Sequence, residues 1–399
     1  MIEYEQALKA ILHDTKKLSK EKVFIEDSAG RVLAEDVYAD LDMPRFNKSA
    51  MDGYVLKEID VRKVPVKLKC IGVIEAGQSF GRIVSRGECV KIMTGACLPK
   101  STNCVVMKEH TQQLGKYVEI TKSVNKGQNV CLQGEDIKQG EKVLVKGKVI
   151  CTSDVALLAS VGRRYVEVVG KPKVAILNTG GEIVPVGEKL SGKKIYNSNG
   201  PQLLALLKSD NINPCFLGIA KDKPQELKRA IKKGLNADVL LISGGVSVGD
   251  YDLVPEILKS LGIKEIFHNV KCKPGKPLFF GRNRNTIVFG IPGNPVANFL
   301  AYQIFIRPAL LKMSGEKPCE PQFKKGVLKK TFPQNTGRKH FILAKIINSG
   351  VNAYVIPLKS HGSADIRTLS RADGFMVIEA GRDVVRAGEK VNFIVWKKT

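Results

Sequence analysis

Apolar residues recur at helical spacing near the start of the chain. The spacing predicts an amphipathic helix over residues 5–18, with one apolar face made by Ala7, Leu8, Ile11 and Leu12. Pro44 then marks a boundary, because proline interrupts regular structure. The first 43 residues therefore form the start of an N-terminal segment that is at least partly helical.

The pattern changes to short alternating apolar runs separated by glycine between Tyr54 and Val130. Such runs, for example residues 66–74 and 104–107, predict strands of a mostly β module. Turns at Gly140 and Gly147 follow, then a helix over residues 153–161 capped by Thr152 or Ser153. We therefore predict an elongated N-terminal domain of residues 1–43 and 135–169, interrupted by an inserted β domain of residues 44–134.

Strands and helices alternate from about residue 170 to residue 313. The apolar pattern predicts strands over 173–177 and 238–242, and helices over 201–209, 224–233 and 253–261. This order is typical of a doubly wound α/β domain with a parallel sheet, whose ligands lie beyond the carboxyl ends of the strands. Short strands such as 353–357 and 375–379 predict a small β barrel or sandwich over residues 314–399. The fold class is therefore α/β and multi-domain.

Length and composition agree with several globular domains. The chain has 399 residues, of which 43% are hydrophobic and 26% charged, as in soluble globular proteins. We see no signal peptide and no apolar stretch long enough to cross a bilayer, so we expect a cytoplasmic protein without membrane contact. The nine cysteines are scattered without a C-x-x-C pair, which favours free thiols in a reducing compartment.

The formal net charge of +25 favours anionic ligands such as phosphates, nucleic acids or oxyanions. Charge alone does not choose among them, and lysines that only face solvent are the simpler interpretation for many positions. Nucleic acid is not the expected partner, because zinc-finger spacing and RNA-recognition motifs are lacking and the chain has one Trp.

Four glycine-containing turns come directly after apolar, strand-like runs. They are residues 178–182, 243–249, 273–277 and 292–295. Glycine at a strand end lets backbone N–H groups approach an anion, especially where a helix begins just afterwards. One such turn is an ordinary feature of proteins, but four in one α/β unit predict a phosphate-bearing ligand.

Charged residues adjoin two of these turns. Asp250 and Asp252 follow the second turn, where they suggest a Mg²⁺ ion bridging protein and phosphate, since Mg²⁺ prefers oxygen ligands. Capping of the following helix is the alternative for either aspartate. Lys273 and Lys276 bracket a Pro-Gly turn and place two cations near one point, where an oxyanion could bind; solvated lysines are the alternative.

The segment 245–249 also matches the G-x-S-x-G pattern of serine hydrolases. Ser247, Asp252 and either His268 or His340 would give the order of nucleophile, acid and base. The acid would lie only five residues after the serine, which is too near for the usual arrangement. The five histidines lack metal-ligand spacing.

A series of short motifs nevertheless resembles one family along nearly the whole chain, the molybdopterin molybdenumtransferases (the MoeA and gephyrin E-domain family). The motifs also stand in the family's order. They are Pro44 with 49–54, 92–96 with Pro99, 127–129 with 134–137, Thr179-Gly180 with Glu182, Ser198-Asn199, 243–249 with Asp252, 273–277 and 292–296.

The resemblance implies an L-shaped homodimer of four-domain subunits, with a MogA-like α/β domain. The active cleft would form between the α/β domain of one chain and the inserted β domain of its partner. Family members bind adenylylated molybdopterin, the product of a molybdopterin adenylyltransferase. With molybdate and Mg²⁺ they hydrolyse its pyrophosphate bond and release AMP and molybdenum cofactor.

The resemblance also implies residue roles. The catalytic polar residues would be Asp52, Thr94, Glu182, Asp222 and Asp252. Asp252, with Asp250, would hold Mg²⁺ on the pyrophosphate, and Lys273, Lys276 and Arg338 would hold the oxyanion. The remaining substrate-binding residues would be Ser243, Gly244, Gly245, Ser247, Pro292, Gly293 and Asn294.

The chain departs from the family pattern near the predicted cleft. Gly181, Asn197 and Lys223 replace carboxylates that are common in the family, and Ala297 replaces a serine. Cys131 and Leu132 replace a customary basic pair. Two other functions stay open: tungstate in place of molybdate, since both are tetrahedral oxyanions, and a non-catalytic scaffold of the same fold. AMP release separates the enzyme from the scaffold.

Overall fold

The computed structural model describes residues 1–246, 253–334, 337–350 and 352–396. The chain forms two compact units. Unit 1 contains Met1–Glu21, Gly30–Val32 and Val169–Thr399, and unit 2 contains Lys22–Ala29 and Leu33–Val168. Among the predicted site residues, Ser247, Asp250 and Asp252 lie outside the described residues. Within the described ranges, no helix is long and apolar enough to cross a membrane.

Unit 1 begins with helix α1 (Tyr4–Asp14), the predicted amphipathic helix. Its Ala7 and Ile11 are completely buried. The ring of Tyr4 packs against Phe305 and Phe341, with centroids 5.5 and 5.7 Å apart. The helix ends earlier than predicted, because Thr15 has an extended backbone conformation.

The mostly β segment that follows supplies unit 2. The strands of this part of the chain are β1 (Lys20–Phe24), β2 (Val37–Tyr38), β3 (Lys48–Ser49), β4 (Gly53–Leu56), β5 (Val66–Ile74), β6 (Glu88–Ile92), β7 (Cys104–Met107), β8 (Thr111–Leu114), β9 (Tyr117–Ile120), β10 (Val130–Cys131), β11 (Lys142–Leu144) and β12 (Tyr165–Val169). Six of them form a sheet with the order β7-β4-β6-β5-β9-β8, in which β5 and β6 are parallel and the other pairs antiparallel. Short 3-10 turns lie at Ile25–Asp27, Glu58–Val61 and Lys108–His110.

Both faces of this sheet are buried at strand β4. Along β4, Tyr54 and Leu56 enter one apolar cluster and Val55 enters another, as the period of two in a strand requires. Gly53 begins the same strand where the neighbouring chain comes very close. A Cβ atom at residue 53 would lie 1.9 Å from the carbonyl oxygen of Val106, so only glycine fits there.

Unit 2 also contains helix α2 (Thr152–Ser160). The predicted cap at Thr152 or Ser153 was wrong, because the N-cap residue is Cys151. The carboxylate of Asp154 accepts hydrogen bonds from the Cys151 N–H at 2.9 Å and from its thiol at 3.0 Å. Asp154 thus does for Cys151 what a capping-box glutamate does for serine or threonine.

The α/β part of unit 1 has a six-stranded sheet with the order β16-β13-β17-β21-β20-β18. Its strands are β13 (Val174–Thr179), β14 (Ile183–Val184), β15 (Ile195–Tyr196), β16 (Cys215–Ala220), β17 (Val239–Ser243), β18 (Lys264–His268), β19 (Cys272–Lys273), β20 (Phe279–Arg282) and β21 (Ile287–Ile291), of which β14 and β15 form a separate pair and β19 belongs to another sheet. Its helices are α3 (Asn199–Ser209), α4 (Pro224–Gly234), α5 (Val254–Ser260), α6 (Pro295–Ala301) and α7 (Arg307–Met313), with a π-helical turn at Tyr302–Ile306.

Helices cover both faces of this sheet, which confirms the doubly wound prediction. Leu241 of β17 packs with Leu203 of α3 on one face, while its neighbour Leu240 packs with Leu227 and Ile231 of α4 on the other. The sheet is not wholly parallel, however. The strands β20 and β21 are joined by a tight turn, and strands joined so closely can only pair antiparallel.

The C-terminal part of unit 1 is a closed β barrel. Its elements are β22 (Lys324–Leu328), β23 (Phe332–Pro333), β24 (Lys339–Ser349), β25 (Asn352–Pro357), α8 (Ile366–Arg371), β26 (Gly374–Ile378), β27 (Val384–Val385) and β28 (Lys390–Val395). The barrel is made by β24, β25, β22, β28 and β26, and pairing of β26 with β24 closes it. The predicted barrel is therefore confirmed.

One predicted turn has a different setting. The segment 273–277 does not follow a strand of the α/β sheet, because β19 pairs with β24 of the barrel instead. Lys273 stands opposite His340 in this pairing. The other three glycine turns follow β13, β17 and β21, as predicted.

Candidate functional site

The three turns after β13, β17 and β21 meet at one edge of the sheet. These strands are parallel neighbours, so their carboxyl ends come together. The turns line a cavity with a volume of about 810 Å³. Predicted site residues on its wall are Glu182, Asp222, Ser243, Gly244, Gly245, Pro292, Gly293 and Asn294. The cavity therefore joins eight of the predicted residues from four separate segments.

The turn after β17 needs glycine for two reasons. Gly244 and Gly245 have φ angles of 97° and 61°, in the left-handed region that favours glycine. A Cβ atom at Gly244 would also lie 2.5 Å from the carbonyl oxygen of Thr179. The N–H of Gly244 already donates to the carbonyl of Ile291 at 3.1 Å. An anion in this turn would therefore have to be met by later N–H groups.

Two carboxylates lie on the wall of the cavity. Asp222 accepts a hydrogen bond from the Gly181 N–H at 2.9 Å. The carboxylate of Glu182 lies against Gly180, where both of its oxygens are 2.9 Å from the position of an added Cβ atom. The positions of both acids thus depend on the two glycines that separate β13 from Glu182.

A buried network of amide side chains connects the turns after β17 and β21. The Asn199 amide donates to the Ser243 hydroxyl at 3.0 Å and to the Gly293 carbonyl at 2.7 Å. The Asn298 amide donates to the same Ser243 hydroxyl at 2.9 Å. Ser243 is only 1% exposed and joins the ends of β17 and β21 from inside. The sequence places Asn199 in a family motif but indicates no role for its side chain or for that of Asn298, since a buried amide looks like an exposed one in sequence.

His268 forms a hydrogen bond with the turn that follows β17. Its Nε2 lies 2.7 Å from the carbonyl oxygen of Val246, and since a carbonyl only accepts, the imidazole donates. Its ring stands edge-on to Phe279, with centroids 5.8 Å apart. His268 is one of the two histidines, with His340, that the G-x-S-x-G pattern offered as the base of a serine hydrolase. Ser247 and Asp252 of that triad lie outside the described residues.

Of the three predicted oxyanion ligands, only Lys273 lines a second cavity, of about 340 Å³, between the α/β part and the barrel of unit 1. Lys273 lines it together with His340, Ser360 and Ser363. Arg338 donates to the carbonyl of Cys272, beside Lys273, at 3.3 Å. Lys276 is exposed and lines neither cavity.

One hydrogen bond connects the walls of the two cavities. The amide of Asn294, on the wall of the first cavity, donates to the hydroxyl of Ser363, on the wall of the second, at 2.9 Å. The cavity that Lys273 lines is therefore linked to the 292–295 loop of the first cavity.

His340, on the wall of the second cavity, makes the stability of the folded chain depend on pH. Burial above all, and then the charges of Lys273 and Arg338, lower the pKa of His340 from 6.5 to about 4. As pH falls from about 6.5 to about 4, the unfolded chain binds a proton that the folded chain does not bind. The folded state therefore loses stability across this window.

Replacing His340 by glutamine should weaken this acid sensitivity, because glutamine does not titrate. Urea unfolding at pH 7.5 and pH 4.5 measures the effect. The drop in unfolding free energy between the two pH values should be smaller in H340Q than in the native chain. Replacement of His13 by glutamine, at a side chain that is 84% exposed, is the control. An equal drop in H340Q would show that His340 does not titrate as described.

Unit 2 holds the two remaining predicted residues, Asp52 and Thr94. The Asp52 carboxylate accepts hydrogen bonds from the N–H and the hydroxyl of Thr94, both at 2.8 Å. Lys108 lies 3.7 Å from the other carboxylate oxygen. The Thr94 N–H first, then its hydroxyl and Lys108, hold the pKa of Asp52 below its usual range. Asp52 is therefore an anion held in a fixed orientation at neutral pH.

Replacing Thr94 by valine should raise the pKa of Asp52 without returning it to the usual range, since the N–H of residue 94 still donates. Carboxyl NMR titration of the folded chain measures this shift. The matched control is Thr121→Val, which removes a hydroxyl bond to the carbonyl of His110 in the same unit. An unchanged Asp52 titration in T94V would mean that the hydroxyl bond is not formed in solution.

The structure describes the surroundings of three of the departures from the family pattern. Asn197 accepts a hydrogen bond from the Gly200 N–H at 3.0 Å, which secures the start of α3 without a carboxylate. Ala297 is buried and leaves no hydroxyl at the start of α6. Gly181 leaves room beside Asp222, since an added Cβ atom would meet only the Asp222 carboxylate, at 3.8 Å. Nothing in the structure explains Lys223, Cys131 or Leu132.

Comparison with known protein families covers almost the whole chain. Residues 2–162 match the MoeA N-terminal region (domain I and II), residues 175–312 match a probable molybdopterin binding domain, and residues 325–396 match the MoeA C-terminal region (domain IV).

Individual relatives match over nearly their full length. The molybdopterin molybdenumtransferases of Staphylococcus epidermidis and Staphylococcus aureus are each 33% identical over 399 residues, which is 99% of this chain and 95% of theirs. Two crystal structures of a molybdopterin biosynthesis MoeA protein from Pyrococcus horikoshii are 31% identical, with TM-scores of 0.85 and 0.78. The first covers 100% of both chains, and the second covers 99% of this chain and 100% of its own.

The doubly wound sheet and the closed barrel thus belong to a chain that two solved MoeA structures match over almost its whole length. An enzyme of this kind is a transferase of molybdenum cofactor biosynthesis, which replaces the serine hydrolase interpretation. The chain belongs to the MoeA family of molybdopterin molybdenumtransferases.

Proposed function

We propose that this enzyme inserts molybdate into adenylylated molybdopterin, with Mg²⁺-dependent cleavage of the pyrophosphate bond and release of AMP. The observation that carries this proposal is the cavity at the ends of β13, β17 and β21. There a glycine turn, a helix start and two carboxylates converge. Such an arrangement suits a phosphate-bearing ligand together with a hard cation.

The carboxylates of the cavity fit the ion that the family implies. Mg²⁺ takes oxygen ligands and keeps several waters, so one or two protein carboxylates beside a phosphate suffice. Glu182 and Asp222 provide such oxygens, and Asp250 and Asp252 follow the 243–249 turn in sequence. Among the described residues, no three acidic, histidine or cysteine side chains are close enough to hold a metal by themselves. The bound ion would supply charge stabilisation for the pyrophosphate oxygens.

The chain's own residues would position the reactants. Gly245 and the residues that follow it would meet the phosphates with N–H groups, while the buried Ser243 network keeps the turn rigid. Asn294 and the 292–295 loop would lie between the phosphates and the oxyanion. Asp222, which is held by the Gly181 N–H, would orient an ion or a water at the bond that breaks.

The oxyanion would bind beside Lys273 and Arg338, with Lys276 at the edge. Molybdate is doubly charged, and cations on a rigid backbone attract it more strongly than mobile surface lysines do. Lys273 is fixed by its pairing in β19, and Arg338 by its hydrogen bond to Cys272. The large net charge of the chain has a use here, because every reactant is an anion.

We further propose a cytoplasmic homodimer whose upstream partner is a molybdopterin adenylyltransferase. In such a dimer, Asp52 and Thr94 would be the second set of catalytic residues. Tungstate instead of molybdate is the second candidate. Both are tetrahedral oxyanions, and none of the described residues near Lys273 selects between them by size. A scaffold role has no feature of its own among the described residues.

The test is incubation of the enzyme with adenylylated molybdopterin, Mg²⁺ and either oxyanion, followed by measurement of AMP. We expect AMP release that requires both Mg²⁺ and an oxyanion, with the preferred oxyanion giving half-maximal release at the lower concentration. Absence of AMP release under all of these conditions would overturn the proposed reaction and favour the scaffold.

A further inference from the structure

Two cysteines of unit 2 face each other across neighbouring strands. Cys70 in β5 and Cys89 in β6 are in-register partners of the parallel pair. Paired strands lie about 4.8 Å apart, which is within the roughly 4.4–6.8 Å between the Cα atoms of a disulfide. Both side chains belong to the same face of the sheet, since Cys89 is part of the apolar cluster around Tyr54 and Cys70 packs against that cluster.

The two thiols differ in their access to solvent. Cys89 is completely buried, whereas Cys70 is partly exposed. Burial first, and then the neighbouring Cys70, raise the pKa of the Cys89 thiol to about 12. A small oxidant therefore reaches Cys70 first, and Cys89 is the second thiol of the pair.

A third cysteine in the same core shows what a thiol without such a neighbour does. Cys104 is also completely buried, but its partner across β4 is Leu56, and its thiol donates to the Leu56 carbonyl at 3.7 Å. Cys104 is therefore as buried as Cys89, but no cysteine stands opposite it on the neighbouring strand. Cys104 provides a matched control.

The position of the pair relates it to Asp52 and Thr94. Strand β6 lies between β4 and β5, and it leads directly into Thr94, whose N–H and hydroxyl hold Asp52. The β5–β6 register becomes irregular just after Cys70. A covalent bond at this point would fix the register of the strand that leads to Thr94.

We propose that Cys70 and Cys89 form a reversible intramolecular disulfide, so that this pair is a redox modification site on the strand that leads to Thr94. With a small-molecule disulfide as the oxidant, the Cys70 thiolate attacks one of its sulfurs and expels a small thiolate. The Cys89 sulfur then loses its proton to solvent, attacks the Cys70 sulfur and expels the second small thiolate. Two electrons pass to the oxidant, and two protons end on the two released thiols.

The rate of the second step should depend on pH. Because the thiolate is the attacking species, ring closure by Cys89 should become faster as pH rises from 7 to 9. The mixed disulfide on Cys70 should therefore be detectable first at pH 7, and it should decay into the internal disulfide.

The experiment uses the full chain equilibrated in glutathione buffers of increasing oxidised fraction, then blocked with an alkylating agent and cleaved with trypsin without reduction. Cleavage after Lys69, Arg82, Arg86 and Lys91 places Cys70 on peptide 70–82 and Cys89 on peptide 87–91. We expect a species that joins these two peptides and disappears after reduction. It should be absent in Cys70→Ser and in Cys89→Ser, and unchanged in Cys104→Ser.

Glutathione on the exposed Cys151 and Cys215 shows that the buffer is oxidising enough. If those two carry glutathione while Cys70 and Cys89 are recovered alkylated or separately modified, the proposal is overturned. Mass spectrometry does not depend on the proposed function. An accompanying change in AMP release does, so the peptide masses decide whether the disulfide forms, and AMP release decides only whether it affects the reaction.

Discussion

Replacing Asp222 by asparagine should lower AMP release by roughly 100-fold or more, while the fold and its stability change little. The amide oxygen of asparagine can still accept the hydrogen bond from the Gly181 N–H, so the 180–182 segment keeps its anchor. What is lost is the negative charge on the cavity wall. A single-turnover assay at several Mg²⁺ concentrations measures the effect, and partial recovery at high Mg²⁺ would indicate weakened ion binding.

The matched control for this variant is Asp238→Asn. Asp238 also accepts a backbone N–H, from Lys173 at 2.8 Å, but it lies just before β17, at the opposite edge of the same sheet. Both variants remove one carboxylate from one unit, so unequal activities would reflect position alone. Native-like AMP release by D222N, with full thermal stability, would remove Asp222 from the proposed reaction.

Replacing Gly244 by alanine should abolish ligand binding and destabilise unit 1 by about 2–4 kcal/mol, since backbone strain and a collision between fixed backbone atoms act together. The Cβ atom would lie 2.5 Å from the Thr179 carbonyl oxygen and 3.0 Å from its hydroxyl. Relief of this contact requires the turn to move away from the end of β13. The backbone N–H groups that are proposed to bind phosphate would then move with the turn. Urea unfolding and AMP binding are the two measurements.

Gly187 offers a control that isolates the collision. Its φ angle is 97°, identical to that of Gly244, but an added Cβ atom would meet nothing within 4 Å. Gly187→Ala should therefore show only the strain of a left-handed alanine, about 1 kcal/mol. If G187A and G244A were equally destabilised and both bound AMP normally, close packing against Thr179 would not explain the glycine at residue 244.

The sequence predicted the regular elements well because most of them have a buried apolar face. The strand pattern of 238–242 and the helix pattern of 224–233 correspond to β17 and α4 within a residue or two. Proline at the first position of α4 and glycine at its end explain why its bounds were readable. The cap of α2 was missed because cysteine is an unusual cap, and its partner Asp154 gives the only signal.

The candidate site was predictable only in part, for physical reasons. Turns that follow parallel strands must meet at one edge, so grouping Glu182, Ser243 and Gly293 required only the strand order. The location of Lys273 instead depends on two residues of β19 pairing with the distant barrel, and a pairing so short leaves no pattern in sequence. The roles of Asn199 and Asn298 depend on burial, which amide side chains do not reveal.

The discontinuity of unit 1 has a consequence for its synthesis on the ribosome. Glu5 of α1 forms an ion pair with Lys339, which is 334 residues away along the chain. At a synthesis rate of about 5–20 residues per second, α1 waits roughly 20–70 s for this partner. Unit 2 can be translated in full during that delay, whereas the apolar stripe of the first helix stays uncovered and would be a natural contact for a chaperone on the nascent chain.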